Sequence, residues 1–365
     1  MRVAIVGAGL AGLATAAAFR RSGHDVTVYE QAGGLRSGGL AINLWSNATS
    51  LLPGFGIPAG RIPGEPFARM LLRASGREAA AIELPAKGLP HVTIERAELV
   101  DALAATLPAG TLSYGARCTD ARELAGGHDL VVAADGAGSA LRPAIAGPAG
   151  RRWTWTVWQA TVSADLPEVP AGAGVAVIRP GLFSGIWRLP GGRITWFAEQ
   201  PERRPGDGPQ LLRDLMDDQD PVLRALAHAT PAENWTEWHA EDLWPRRALH
   251  RGNVVLVGDA AHVMLPTLGQ GACQALEDAA ALAAAVAADS SLDQALRRYE
   301  AVRVPRVRRI IALARAGARS RRPSMAGRAV PGVISARLMA ATGGPVLRRL
   351  SRPTGLGTPA PTAAR

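Results

Sequence analysis

The sequence predicts an α/β fold in which a domain with a parallel sheet is interrupted by a mostly antiparallel sheet and followed by a C-terminal helical segment. Three observations predict it. Residues 2–30 hold two apolar runs separated by a glycine-rich turn and a small-residue helix, the pattern of a βαβ unit. Residues 151–200 alternate apolar and polar positions and are rich in tryptophan and threonine, as in antiparallel strands. The buried-strand pattern returns at 254–259, so the middle sheet is predicted to be an insertion.

Length and cysteine content exclude several classes of protein. The 365 residues suffice for two domains. No segment reaches the roughly 18 uninterrupted apolar residues of a membrane span, and the glycine turn explains the apolar N-terminus better than a secretory signal. Cys118 and Cys273 lie far apart and form no CxxC, which argues against a dithiol redox enzyme and against a zinc site. We therefore expect a cytoplasmic protein without a bound metal.

The basic charge is concentrated at the C-terminus. The net charge is +10, and residues 301–365 contain fourteen arginines and no Asp or Glu. Lys87 is the only lysine of the chain. Arginine is therefore the usual basic residue throughout the sequence, so the arginines at the C-terminus are weak evidence for a nucleic-acid-binding function. We predict a pair of helices with solvated arginine faces over 301–352 and a disordered tail at 353–365. The alternative is a basic amphipathic surface that touches an anionic membrane or an acidic carrier.

The first thirty residues predict a dinucleotide site. Gly7 permits the tight turn, Gly9 lets the backbone approach a pyrophosphate, and Gly12 brings helix and strand close together. The phosphates then meet the positive end of the helix. Glu30, at the end of the second strand, is placed to accept hydrogen bonds from a ribose.

The next elements follow in order. A glycine-rich loop leads into an apolar segment that looks helical from about Ser46, and residues 67–84 read as two strands around a turn at 75–76. A strand and an amphipathic helix follow at 91–108, and a buried strand at 128–134 stops in a glycine turn at Asp135 and Gly136. After the inserted sheet come a helical stretch at 209–229 and a long helix from about Ala272 to Ala288.

A third segment, residues 254–279, can hold an anion. Asp259 at the tip of a strand can accept bonds from sugar or ribityl hydroxyls. Past Pro266, the turn of Gly269, Gln270 and Gly271 opens a helix, so free backbone N–H groups and a positive dipole converge there. The alternative is an ordinary joint between strand and helix.

Taken in order, the three motifs GAGLAGLATA, DLVVAADGAGSALR and GDAAHVMLPTLGQGACQALEDA resemble those of the group A flavin-dependent monooxygenases, the aromatic hydroxylases similar to para-hydroxybenzoate and salicylate hydroxylases. The resemblance covers roughly residues 1–310. It implies a Rossmann-like FAD-binding domain and the use of NADH or NADPH as a transient co-substrate. It also implies that the substrate receives oxygen from a flavin hydroperoxide.

The resemblance also implies which residues contact the cofactor. Those expected to bind FAD, with Asp135 and Gly136 also serving the pyridine nucleotide, are Gly7, Gly9, Ala11, Gly12, Glu30, Arg36, Arg96, Asp135, Gly136, Asp259, Pro266, Gly269, Gly271 and Ala272. The flavin ring would lie against Pro266, Gly269, Gln270 and Gly271. His262 is expected to support this loop, and no catalytic base is predicted. Cys273 and Gln159 depart from the family, which often has asparagine and arginine there.

The expected domains are discontinuous. Residues 1–66, 91–150 and 245–300 would form the FAD-binding domain, and residues 67–90 and 151–244 the substrate domain. In the latter, Trp158, Phe183, Trp187 and Trp196 are candidates for stacking against a planar substrate, and the alternative for each tryptophan is that it belongs to the core of the sheet.

The predicted activity is hydroxylation or epoxidation of an aromatic or polyunsaturated small molecule, and the expected context is the tailoring of a natural product. A flavoprotein reductase or oxidase on the same scaffold, acting for example on isoprenoid double bonds, is the alternative. A halogenase, suggested by the spacing of Trp153, Trp155 and Trp158, is disfavoured because only Lys87 could supply the lysine that those enzymes use.

Overall fold

A computed structural model describes residues 1–35, 40–147, 152–179, 181–200, 205–244, 248–320 and 332–354. Its strands are, in chain order, β1 (Arg2–Val6), β2 (Asp25–Glu30), β3 (Ala41–Leu44), β4 (Glu65–Ala74), β5 (Arg77–Glu83), β6 (His91–Glu95), β7 (Leu112–Tyr114), β8 (Leu130–Ala133), β9 (Arg152–Ser163), β10 (Gly172–Arg179), β11 (Leu182–Arg188), β12 (Arg193–Glu199), β13 (Thr236–Leu243), β14 (His250–Arg251) and β15 (Val254–Leu256). Its α-helices are α1 (Leu10–Arg21), α2 (Ser46–Thr49), α3 (Arg96–Ala104), α4 (Arg122–Ala125), α5 (Arg142–Ala146), α6 (Gly208–Met216), α7 (Pro221–Ala229), α8 (Asp259–His262), α9 (Gly271–Ala288), α10 (Leu292–Ser320) and α11 (Gly332–Leu350).

The first sheet is Rossmann-like, as predicted. Its strand order is β14-β15-β8-β1-β2-β7, and all pairs except β14–β15 are parallel. The apolar residues of β1 and β8 are buried, and the small residues of α1 let it pack against α9. The glycine turns after β1, β8 and β15 therefore meet at one edge of the sheet, where ligands of open α/β sheets bind.

The second sheet has the order β13-β9-β12-β11-β10-β4-β6-β3, with β5 paired to β4. Among the pairs described, only β10–β4 is parallel, so the prediction of a mostly antiparallel sheet is confirmed. Helices α6 and α7 cover one face of it and form a core with β9, β10, β11 and β12. The other face is turned toward the first sheet and the C-terminal helices.

The structure differs from the expectations of the sequence at three places. Strand β3 was not predicted, because four residues between a glycine-rich loop and a helix carry too little pattern. The helical stretch at 209–229 is broken into α6 and α7, because the Asp220 carboxylate caps α7 through the Val222 N–H. Strands β3 and β6 pair in the second sheet although their residues fall in the segments assigned to the FAD-binding domain, so the domain division stays a prediction.

The C-terminal helical segment is present, and it begins with α10 at Leu292. Helix α10 packs against α9, and α11 packs against β4, β5 and β10. Gly344 of α11 lies directly on Ile82 of β5, since a Cβ at Gly344 would be 3.2 Å from the Ile82 side chain. None of the helices in the described ranges combines the length and the apolar character required to cross a membrane.

Candidate active site

A cavity of about 1390 Å³ is lined by residues of both sheets and of the C-terminal helices. Its wall includes Gly9, Gly136 and Asp259 from the first sheet, Trp187 and Phe197 from the second, and residues of α11. The volume exceeds the roughly 300–1,000 Å³ of a typical small-molecule pocket, so there is space for more than one molecule.

The three glycines of the first turn have different roles. Gly7 has a φ of 104°, and a Cβ there would lie 2.5 Å from the Ala134 carbonyl oxygen. At Gly12, a Cβ would lie 1.9 Å from the carbonyl oxygen of Gly7. A Cβ at Gly9, by contrast, would meet no protein atom within 4 Å, and Gly9 borders the cavity. Gly7 and Gly12 thus make the turn, whereas Gly9 leaves it open to a ligand beside Ala11.

The Glu30 carboxylate is tied to the backbone of this turn. One oxygen accepts the Ala8 N–H at 2.8 Å and the other accepts the Ala32 N–H at 2.9 Å. Each carboxylate oxygen has a second lone pair, so a ribose hydroxyl could still be bound. The ribose contact stays a prediction, and the structure adds that Glu30 orders the glycine turn itself.

The second glycine turn borders the same cavity. Gly136 has a φ of 82° and open space where a Cβ would be. Asp135 accepts the backbone N–H groups of Ala140 and Leu141 at 2.8 and 3.3 Å through one oxygen, which shapes the turn. Arg96, the first residue of α3, also lines the cavity, whereas Arg36 lies outside the described residues.

Arg142 is a residue whose role the sequence did not reveal. Its guanidinium is buried and donates to the carbonyl oxygens of Gly136 and Ala137 in the second turn, and to those of Asp259 and Ala260 in the third motif, at 2.6–3.1 Å. It therefore holds two ligand-facing loops together. In the sequence, the only indication of this role is that Arg142 is the last residue of the second motif.

Asp259 begins α8 after Gly258, which has a φ of 58°. A Cβ at Gly258 would be 2.6 Å from the Ala11 Cβ, so the loop comes very close to α1. Asp259 opens onto the cavity, yet the protein that surrounds it raises the pKa of its carboxyl by desolvation. The charges of His262, Arg96 and Arg142 oppose this rise in pKa.

The loop before α9 has the predicted geometry. Pro266–Leu268 form a 3-10 turn, Gly269 has a φ of 60°, and α9 begins at Gly271 with open space where a Cβ would be. Pro266, Gly269, Gly271 and Ala272 line the cavity. Gln270 does not: its side chain is 1% exposed and its Oε1 accepts the amides of two other core residues, Asn47 at 3.2 Å and Gln274 at 3.0 Å.

A buried ionic cluster lies behind this loop. It consists of Glu277 and Asp278 of α9, Arg303 and Arg306 of α10, and His262. Arg303 is fully buried and bridges both carboxylates, with 2.6 Å to Asp278. Asp278 also accepts the Gly258 N–H at 2.7 Å. The cluster therefore joins α10 to the loop that carries Asp259, and His262 supports this loop through Asp278.

The cluster makes stability depend on acid. Burial alone would raise the pKa of Asp278, but the charges and hydrogen bonds of His262 and Arg303 lower it to about 2 from the usual 3.8. A carboxyl with a depressed pKa stabilises the fold fully above its unfolded pKa, and that contribution is lost as the pH falls toward the folded pKa. We expect this group to account for a loss of about 1 kcal/mol between pH 6 and pH 3, and of about 2 kcal/mol once the pH falls below its folded pKa. Urea unfolding at pH 6 and pH 3 measures it, and a wild-type pH dependence in Asp278→Asn would contradict it.

The candidate substrate residues divide between the two faces of the second sheet. Phe183 and Trp187 border the cavity, and their stacking against a substrate stays a prediction. Trp158 and Trp196 are fully buried with the residues of α6 and α7, and their indoles donate at 3.1 Å to Glu237 and Thr230. Trp196 touches the cavity boundary, but its ring belongs to the opposite face. The prediction that Trp158 and Trp196 stack against the substrate is therefore corrected, and both belong to the core of the sheet. They lie on the covered face because a strand sends alternate side chains to opposite faces.

The two departures from the family motifs have local explanations. The Cys273 sulfur accepts the Trp45 N–H at 3.4 Å, and burial raises the pKa of the thiol to about 12, which makes it unreactive. Gln159 borders the cavity, and its amide donates to the Ala41 carbonyl at 3.1 Å and to Thr195 at 3.3 Å. Cys273 thus bonds to the residue before α2, and Gln159 bonds to strands β3 and β12.

A cavity bordered by three glycine turns, a strand-end carboxylate and a helix N-terminus is the geometry of a dinucleotide-binding enzyme. Residues 122–314 match the FAD binding domain family, and residues 5–41 match the NAD(P)-binding Rossmann-like domain family.

The chain is 32% identical to the FAD-dependent urate hydroxylase of Klebsiella pneumoniae subsp. pneumoniae, over 86% of this chain and 89% of that protein. It is 33% identical to the 3-amino-4-hydroxybenzoate 2-monooxygenase of Streptomyces cremeus, over 84% of each chain. The crystal structure of Klebsiella pneumoniae HpxO complexed with FAD and uric acid matches with a TM-score of 0.83, 26% identity and 96% coverage of both chains. The chain belongs to the group A FAD-dependent aromatic hydroxylases.

The residues present fit FAD. Positions 9, 136 and 271 lack a Cβ where one would point into open space, and positions 9, 136, 259 and 271 border one continuous cavity. When bound, FAD supplies the redox chemistry and the activation of oxygen. The protein supplies position, fixed dipoles and a largely apolar surrounding.

Proposed function

We propose that this monooxygenase uses NADH or NADPH to hydroxylate an uncharged aromatic molecule that binds against the second sheet. The observation that supports it most directly is that Phe183, Trp187 and Phe197 border the same cavity as the glycine turns. The epoxidation of a polyunsaturated molecule is the variant of this activity that the same apolar wall would accept.

The proposed cofactor contacts follow from the positions of the motifs. Gly7, Gly9, Ala11 and Gly12 would hold the ADP half of FAD, with Glu30 at its ribose. Asp259 would accept a ribityl hydroxyl. The backbone N–H groups at the start of α9, from Gln270 to Ala272, would stabilise negative charge on the flavin ring, because the eighteen-residue helix directs its positive end there.

The charge of the substrate is inferred from the arginines among the described residues of the cavity wall. Among the described residues that line it, Arg179 is paired with the buried Asp218 at 2.7 Å. Arg96 lies near enough to Asp259 to lower the pKa of that carboxyl, which places it at the cofactor end. Met70, Leu72 and Ile178 extend the aromatic wall with apolar surface. An uncharged ring fits this wall better than a carboxylate, which costs several kcal/mol to bury without a partner.

Oxygen-dependent oxidation of NADH or NADPH by the FAD-loaded enzyme tests both parts of the proposal. We expect naphthol to accelerate this oxidation at least about tenfold more than hydroxynaphthoate, which carries the same rings and a carboxylate. Turnover that continues without oxygen and yields a reduced product would contradict a monooxygenase. Equal acceleration by the two compounds would contradict an uncharged substrate.

A contact between the C-terminal segment and an anionic membrane is a separate proposal. Arg303, Arg306 and Arg315 are engaged in internal ion pairs, which supports the alternative of helices packed on the body of the enzyme. The membrane contact depends on Ile334 and Leu338 of α11, which are 55% and 60% exposed. Flotation with anionic liposomes should weaken in an Ile334→Ser, Leu338→Ser variant, and unchanged flotation would reject the contact. A cytoplasmic location is proposed as well, in keeping with the free Cys118 and Cys273.

A further inference from the structure

Two glycines lie under the indole of Trp187 in the second sheet. A Cβ on Gly185 would be 2.5 Å from the six-membered ring of Trp187, and a Cβ on Gly174 would be 2.2 Å from its Nε1. Gly185 precedes Trp187 by two residues on β11, so both lie on the same face, and Gly174 belongs to the neighbouring strand β10. The indole is therefore laid against the backbone of two adjacent strands, at a distance that no other residue type would allow.

A second ring continues this surface. Phe197 pairs with Gly185 across β11 and β12, and a Cβ on Gly185 would be 2.6 Å from the Phe197 ring. The planes of Trp187 and Phe197 differ by only 20°, with their centroids 5.9 Å apart. Phe183 lies 5.9 Å from Phe197, at 44°. All three rings border the cavity. We call the two nearly parallel rings, those of Trp187 and Phe197, the aromatic platform.

Stability does not account for the two glycines. Glycine inside a strand costs roughly 1 kcal/mol relative to alanine, because it loses more backbone freedom on folding and offers no side chain to pack. Neither Gly174 nor Gly185 has a positive φ in this structure. What both glycines do provide is room for the rings to lie close to the sheet, which deepens the cavity on that side.

We propose that the aromatic platform is the surface on which the substrate ring stacks, and that Gly174 and Gly185 set the depth of the site and hence the size of ring that it accepts. The inference rests on the proposed function for the identity of the cavity as the substrate site. Offset stacking of a planar ring on Trp and Phe faces contributes affinity beyond the area buried. An added methyl group under the rings would push them into the cavity and shorten the space for a fused ring more than for a single ring.

The test is calorimetric binding of phenol and naphthol to the FAD-loaded enzyme without a nicotinamide. For Gly185→Ala we expect the Kd of naphthol to rise about tenfold and that of phenol by less than about threefold. In Trp187→Phe the smaller ring cannot reach over Gly174. We therefore expect this variant, too, to bind naphthol less tightly relative to phenol than the wild type does. Because this experiment measures binding, it can support the role of the aromatic platform even if turnover assays contradict the proposed activity. Turnover assays can likewise support the proposed activity even if the binding experiment contradicts the role of the platform.

Val175→Ala is the matched control. Val175 is adjacent to Gly174 on β10, but it is fully buried among the residues that pack on α6 and α7. The Val175→Ala substitution should lower the melting temperature and leave the ratio of the Kd values of naphthol and phenol unchanged. The proposal is overturned if Gly185→Ala and Trp187→Phe bind both compounds as the wild type does, or if both variants lose the two compounds equally.

Discussion

Replacing Arg303 with methionine should lower the free energy of unfolding by about 3–5 kcal/mol, because it leaves two buried carboxylates without their common partner. Arg303, Glu277 and Asp278 have fully buried side chains. Methionine fills much of the volume but supplies no donor, so the carboxylates of α9 would have to bind protons or draw water into the core. Since Asp278 also accepts the Gly258 N–H, the loop that carries Asp259 should loosen as well.

Urea unfolding of the FAD-loaded protein measures this effect, and FAD release by dilution measures the loosening of the loop. Arg297→Met is the control, since Arg297 is on the same helix and its pair with Asp293 at 2.8 Å is exposed. Such exposed pairs contribute only about 0–1 kcal/mol. Unfolding of Arg303→Met at the wild-type urea concentration would refute the assigned role of the cluster.

Alanine at Gly9 and at Gly12 should separate ligand binding from folding. At Gly9 the added methyl group meets no protein atom, so the melting temperature of the FAD-free protein should be unchanged while FAD affinity falls by at least about tenfold. At Gly12 the methyl group would lie 1.9 Å from the Gly7 carbonyl oxygen, so the turn must move. Both the melting temperature and FAD affinity should therefore fall.

Fluorescence titration with FAD and thermal unfolding with and without FAD give the two quantities. Gly60→Ala is a suitable control, because a Cβ there also meets no protein atom and Gly60 does not border the cavity. If Gly9→Ala bound FAD as tightly as the control does, the pyrophosphate could not lie over this turn. If Gly12→Ala were as stable as wild type, the close contact of α1 with the turn would be wrong.

The parts that could be predicted from the sequence are those that depend on short-range requirements. The turns at Gly7, Gly136 and Gly269 were predicted because each needs a positive φ, and glycine meets that need without regard to distant residues. Helix α9 was predicted nearly to its ends from a run of alanines after such a turn. Beyond these turns, it was the resemblance of the three motifs, in their order, to those of the group A flavin-dependent monooxygenases that indicated an FAD-binding fold.

The tertiary structure decided the side-chain partners. Arg142 donates to the Ala260 carbonyl oxygen across 118 residues of sequence, and Arg303 reaches Asp278 across 25. No local pattern marks such pairs, because they form only where separate elements pack together. The face on which each tryptophan lies is likewise a property of the sheet: alternation predicts strands but does not say which side will be covered by helices. Trp158 and Trp196 therefore became core, and Trp187, laid over two glycines, became the wall of the cavity.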